Sequence, residues 1–230
     1  MSTKHSFWVV FGVVLLFPLV LLAQSSYRFG ALPSVNLNVK LKNDWSTNFK
    51  IESRQQFQEG NFGAEKASGY SYVLTDYSAI VAKKTGLNSK LSGGYLLRFR
   101  DNQMVHRLIQ QYTITQRLPS LRLAHRVVTD QTLSPKEKTE FRLRYRLATE
   151  IPLNGQSADV NELYLKLSNE YLNSLQDAVY DLEVRLVPLL GFTASESQRV
   201  EMGLNYRLNS FVSGSPSHSF WLSINWYIVI

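Results

Sequence analysis

From Val35 to Ile230 the chain alternates apolar and polar residues, in segments longer than an ordinary soluble sheet requires. Phe141-Arg142-Leu143-Arg144-Tyr145-Arg146-Leu147 shows it best, with four apolar residues at odd positions and three arginines at even ones. Successive strand side chains point to opposite sides of a sheet, so this pattern describes a strand with one oily face and one polar face. The alternation predicts strands over 35–41, 45–57, 70–83, 87–100, 104–117, 120–129, 139–150, 160–171, 178–189, 198–209 and 218–230, most of them 10 to 14 residues long. Globular strands average about 5 to 6 residues, whereas tilted strands that cross a bilayer need about 9 to 11. No segment spaces its apolar residues by three and four, so no helix is expected to cover the sheet.

Composition narrows the choice. A chain that is 44% hydrophobic and 12% aromatic is too rich in core-forming residues for disorder. With no cysteine it has no disulfide staples, thiolate metal sites or lipid-modified N-terminal Cys. What remains is a soluble barrel or sandwich with an apolar interior, or a transmembrane barrel with an apolar exterior.

Three features select the membrane. Residues 1–23 start with Lys4 and His5, continue through an apolar run from Phe7 to Leu22 and reach Ala23 before a polar boundary, as in a secretory signal peptide cleaved after Ala23. The chain is therefore divided into a signal peptide, 1–23, and a barrel, 24–230. The polar faces are densely charged: Glu52, Arg54, Arg98, Arg100, Arg107, Arg117, Arg122, Arg126, Arg142, Arg144, Arg146, Glu162, Lys166, Glu170, Glu183, Arg185, Glu201 and Arg207 are expected to line the lumen. The final strand runs to the last residue with Phe220, Leu222, Ile224, Trp226, Ile228 and Ile230 on one apolar face, similar to the sorting signal of bacterial outer-membrane barrels. Trp45, Tyr95, Tyr171, Tyr206, Phe220 and Trp226 are expected at the membrane interface, near strand ends. The predicted fold is all-β: an antiparallel transmembrane β-barrel of 10 or 12 strands, because bacterial single-chain barrels have even strand numbers. With the last strand descending to the periplasm, the links at 83–86 and 118–120 are periplasmic and the longer segments 58–69, 130–138 and 210–217 face outward.

Gly93-Gly94-Tyr95-Leu96-Leu97-Arg98-Phe99-Arg100, His106-Arg107-Leu108-Ile109-Gln110-Gln111, His125-Arg126 with Thr129-Asp130-Gln131-Thr132, Arg142-Leu143-Arg144-Tyr145-Arg146 and Glu162-Leu163-Tyr164-Leu165-Lys166-Leu167-Ser168-Asn169-Glu170 together resemble domain of unknown function 2490. That resemblance implies a secreted bacterial outer-membrane β-barrel and brings no activity with it.

Arginine outnumbers the acids on the polar faces, and the whole chain carries a formal charge of +7. The expected function is an outer-membrane barrel with an Arg-rich lumen, either a narrow channel or a binding barrel for a small anionic solute. The alternatives are a barrel-embedded phospholipase or acyltransferase and a structural barrel plugged by its own Arg–Glu pairs. An enzyme would need a histidine beside a Ser or Thr hydroxyl, and His106 and His125 share the parity of lipid-facing residues, opposite the 131 region and Tyr112 respectively. No catalytic residue, metal ligand or cofactor is assigned. The expected partners are outer-membrane lipids, the barrel assembly machinery through the C-terminal strand, and a small anion; basic residues that alternate with oily ones do not form a nucleic-acid patch.

Overall fold

The computed structural model describes residues 25–63, 66–210 and 212–230. The expected signal peptide lies outside these residues. The described chain is all β, with eleven strands: β1 Ser26–Lys40, β2 Trp45–Asn61, β3 Lys66–Lys84, β4 Ser89–Arg100, β5 Gln103–Leu118, β6 Leu121–Leu133, β7 Glu140–Pro152, β8 Leu163–Gln176, β9 Val179–Ser195, β10 Gln198–Asn209 and β11 Ser217–Val229. Each pairs antiparallel with its neighbours in sequence, and β1 closes the barrel on β11.

That closure corrects the expected count of 10 or 12. β1 and β11 run parallel, from Ser26 opposite Ser217 to Asn38 opposite Val229. An even count is required only when the first and last strands meet antiparallel; a parallel seam admits eleven. The segment 35–41 is a stave after all, and 24–34 holds no additional strand, because one strand runs from Ser26 to Lys40. The two ends of the described chain consequently lie at opposite ends of the barrel.

Register fixes the shape. The row that begins at Leu41, whose N–H bonds Trp45 across the first turn, passes through Lys83, Leu91, Tyr112, Val127, Tyr145, Tyr171, Val184, Leu208 and His218. It returns to β1 at Tyr27, 14 positions from its start. At ordinary strand spacings this stagger over eleven strands gives a tilt of about 40° and a backbone radius of about 11 Å. Such a barrel is wider than an eight-stranded one filled by side chains and far narrower than a porin.

The turns follow local chemistry. Asp101-Asn102 and Asp177-Ala178 are two-residue links with positive φ at both positions, the geometry whose twist suits a hairpin. Pro119-Ser120 joins β5 to β6, with proline's fixed φ first and a positive φ at Ser120. This turn pairs Leu118 with Leu121, which places His106 opposite Leu133 and His125 opposite Ile114, two residues from the expected register. The end bearing the C-terminus carries the links 41–44, 85–88, 119–120 and 196–197 together with the longest one, 153–162. The other end carries 62–65, 101–102, 134–139, 177–178 and 210–216. Strands extend well into 58–69 and 130–138, so those loops are shorter than expected.

Ala178 holds φ +61° with a Cβ attached, a conformation that costs an L-residue about 1 kcal/mol relative to glycine. Ala178→Gly is expected to raise unfolding stability by up to about 1 kcal/mol, read as a higher urea midpoint of the refolded barrel.

Candidate functional site: a divided lumen

Alternation sorts the side chains into an outer wall and a lumen. The outer wall exposes large apolar residues on every strand, among them Val35, Phe49, Tyr77, Leu91, Leu108, Val127, Leu143, Leu167, Leu190, Met202 and Leu222. The opposite parity carries the charges. Glu52, Arg54, Arg98, Arg100, Arg107, Arg117, Arg122, Arg126, Arg142, Arg144, Arg146, Lys166, Glu170, Glu183, Arg185, Glu201 and Arg207 all take lumen-facing register positions. Glu162 does not: it lies in the loop before β8, where Asn154 Nδ2 (2.6 Å) and the Asp159 N–H (3.1 Å) donate to its carboxylate. Strand 160–171 was expected to begin earlier than β8 does. Trp45 begins β2 and Phe220 lies near the start of β11, whereas Tyr95 and Tyr171 stand at mid-strand. Tyr206 and Trp226 are each three residues from their strand ends.

Around the middle of the lumen the charges form a closed belt. Because the tilted rows slip by about 1.3 residues per strand, Glu52, Asp76, Arg98, Arg107, Asp130, Arg142, Glu170, Arg185 and Arg207 fall at nearly one height. Arg98 grips Asp76 with two hydrogen bonds of 2.7 Å. Asp130, which is 0% exposed, accepts from Arg142 Nε at 2.6 Å, has Arg142 Nη2 at 2.5 Å, meets Arg144 at 2.9 Å and has Arg107 at 3.5 Å. Arg107 also donates to Thr132 at 2.9 Å. Arg185 bridges Glu170 (2.9 Å) and Glu183 (2.5 Å), and Lys50 donates to Glu52 at 2.5 Å. The Arg54 guanidinium lies 5.0 Å over the Trp221 ring. Leu32, Leu74, Val105, Leu172 and Trp221 fill the gaps, all buried. The forked geometry of arginine on carboxylate offsets part of the desolvation cost, and the mutual pairing explains how so many charges share a dry level.

Beyond the belt, toward the C-terminal end, the lumen changes character. One wall, on β1 to β3, carries the short side chains Asn38, Ser46, Asn48 and Ala82, and Thr113, Thr115, Ala124 and Ala148 stand among the cations of β5 to β7, all half-buried instead of sealed. Cations outnumber acids on the other: Arg117, Arg122, Arg126, Arg146, Lys166 and Arg199 against Glu150 and Glu201. Glu201 is committed to Lys166 (2.7 and 2.9 Å) and to the Tyr164 hydroxyl (3.0 Å). Tyr164 owes its place to Gly191, where any Cβ would stand 2.1 Å from the ring. Glu150 is shared more loosely by Arg122 (3.7 Å) and Arg199 (3.6 Å). Arg126 and Arg146 face each other across the β6–β7 ladder, a like-charge pairing that costs stability. Arg146 has only Glu170 at 4.0 Å, and among the described residues Arg126 has no hydrogen-bond or ion-pair partner.

Asp76, Asp130, Glu150, Arg199, Tyr164, Tyr227 and Trp221 were absent from the expected lumen set. Parity would have found most of them: Asp130 continues the even series of Arg122 and Arg126, and Arg199 precedes Glu201 by two. The three described histidines lie on the outer wall. His106 meets the Tyr95 hydroxyl, His125 that of Tyr145 at 2.9 Å and His218 that of Tyr206 at 2.9 Å. None of the three hydrogen-bonds a Ser or Thr hydroxyl among the described residues, so no nucleophile–base pair forms there.

Removing the anion at the centre of three guanidiniums leaves them facing one another in a dry site. Asp130→Asn is therefore expected to cost about 3 kcal/mol or more, whereas the loop change Glu162→Gln should stay within about 0.5 kcal/mol. Urea unfolding of the two variants beside the parent chain measures both.

A family model described as Protein of unknown function (DUF2490) matches residues 29–218, from within β1 to the second residue of β11. No match was found among curated proteins or among solved structures.

Proposed function

The chain belongs to the family of proteins of unknown function DUF2490, and for this member we propose an outer-membrane barrel that binds a small anionic solute in a dead-end basic cup. The observation that carries the proposal is the facing Arg126–Arg146 pair, two guanidiniums with almost no protein counter-charge in the half-open part of the lumen. A carboxylate or phosphate between them would supply the missing charge through short, forked hydrogen bonds. The small-residue wall opposite leaves room for the body of the solute.

The membrane part of the reading rests on the outer wall. Exposed apolar side chains encircle the barrel, where a soluble monomer seldom shows an apolar patch above about a few hundred Å². At the observed tilt, a strand of 12 residues, the length of β4 and of β10, rises about 30 Å along the axis, near the thickness of a hydrocarbon core. The signal-like leader would direct the chain out of the cytoplasm, and the apolar face of the last strand suits recognition by barrel assembly machinery.

A closed belt favours binding over passage. The belt residues Arg107, Asp130, Glu170 and Arg207 are all buried, so an ion crossing the barrel would have to displace them. The histidines disfavour a lumen-based lipid hydrolase or acyltransferase, because every described one takes an outward position.

Two measurements test this. The refolded chain in a planar bilayer is expected to give no steady single-channel current, and a stable current would overturn the closed belt. Calorimetric titration with phosphate or succinate is expected to show binding that Arg126→Gln and Arg146→Gln each weaken by about tenfold or more, the value of one charge-assisted hydrogen bond. Unchanged affinity in the double variant would remove the cup from the proposal.

A further inference from the structure

On the outer wall, five neighbouring strands, β11 and β1 to β4, surround an apolar groove of about 600 Å³. Its sides are Val35, Phe49, Ile51, Tyr77 and Tyr95, and its floor is set by Ala79, which lies two residues from Tyr77 on β3 and opposite Tyr95 on β4 and carries only a methyl group. The groove points along β3, whose outward residues run Tyr77, Ala79, Val81, Lys83. Lys83 is six residues from Tyr77, about 20 Å along the strand at 3.3 Å per residue.

The C-terminal rim directly above this groove is cationic. Lys83 takes an outward position at the end of β3 and Lys42 lies in the β1–β2 turn, while Lys40, Lys84 and Lys90 take lumen-side positions on the same rim, and Asp44 is the one acid in those turns. Lys84 and Lys90 face each other across the ladder. Lys83 lies 5.3 Å over the Trp45 ring and donates to the Asn43 carbonyl at 2.5 Å. None of the five has a carboxylate within 4.0 Å among the described residues, in contrast with the lumen, where most cations are matched. A lysine cluster at the end of an oily groove is complementary to a molecule that is anionic at one end and apolar along its length.

We propose that this outer groove holds one acyl chain of an anionic phospholipid, with its phosphate at Lys42 and Lys83. The site rests on the outer-membrane reading and is separate from the lumen cup. The C-terminal end is the periplasmic end in the topology expected above, so the lipid belongs to the inner leaflet. Trp45 would sit at headgroup level, its ring shared with Lys83.

The test is to refold the chain in vesicles of equal parts phosphatidylglycerol and phosphatidylcholine, extract it in mild detergent and count retained lipids by native mass spectrometry. One phosphatidylglycerol is expected to be retained at least about fivefold above phosphatidylcholine. Replacing Lys42 and Lys83 together by Gln should abolish the preference while leaving the heat-dependent gel mobility of an inserted barrel unchanged. Ala79→Leu, which fills the floor, should reduce retention of both lipids. An inserted chain with no lipid preference, or a lysine variant that keeps it, overturns the site. A chain that never inserts into vesicles overturns the membrane reading on which the site rests.

Discussion

Closure of the sheet on itself is the constraint from which the other features follow. A sheet whose outer face is apolar on every strand has no layer to pack against, and an open edge would leave a row of backbone N–H and C=O groups without partners. Joining β1 to β11 removes both edges. The seam is parallel, and this single choice allows eleven strands, places the two described chain ends at opposite ends of the barrel and, with the stagger of 14, sets a radius at which long polar side chains from opposite walls approach one another.

Within that radius the lumen divides according to which acids are available. Where Asp76, Asp130, Glu170 and Glu183 alternate with arginines around the wall, most of the arginines have a carboxylate partner, while Arg54 lies over Trp221 and Arg207 donates to Asn205. Where the acids fall to Glu150 and Glu201, cations remain unmatched and the wall opposite them is built from small side chains. The two halves have the same backbone; the difference lies in side-chain size and charge balance. In the proposed reading the belt is a barrier and the cup a receptacle for one physical reason: a guanidinium with a carboxylate in reach needs no solute, and one left without it in the half-open lumen does.

Parts of this were legible residue by residue. The β7 run from Phe141 to Leu147 specifies its two faces without any tertiary information, because period-2 alternation is a local property. The same holds for the apolar face of β11. Asp130 was legible in principle, being in register parity with Arg122 and Arg126, but an isolated acid in Thr129-Asp130-Gln131-Thr132 gives no hint that three arginines from β5 and β7 converge on it. Glu162 misled because its parity matches Lys166 and Glu170, and only the loop that bonds its carboxylate shows that the strand has not yet begun. His106 and His125 were assigned to the correct face, while their opposite residues depended on the geometry of the Pro119-Ser120 turn.

By itself the sequence determined the elements and their faces: all-β, long strands, one oily side and one charged side, with arginine in excess. Those features are encoded by neighbours two positions apart. The number of strands, the parallel seam and the level at which each charge sits depend on pairings between residues up to 191 positions apart, as between Ser26 and Ser217. No local pattern reports such a register, so only the tertiary structure decided which arginines are neutralised in the belt and which, like Arg126 and Arg146, are left facing open space.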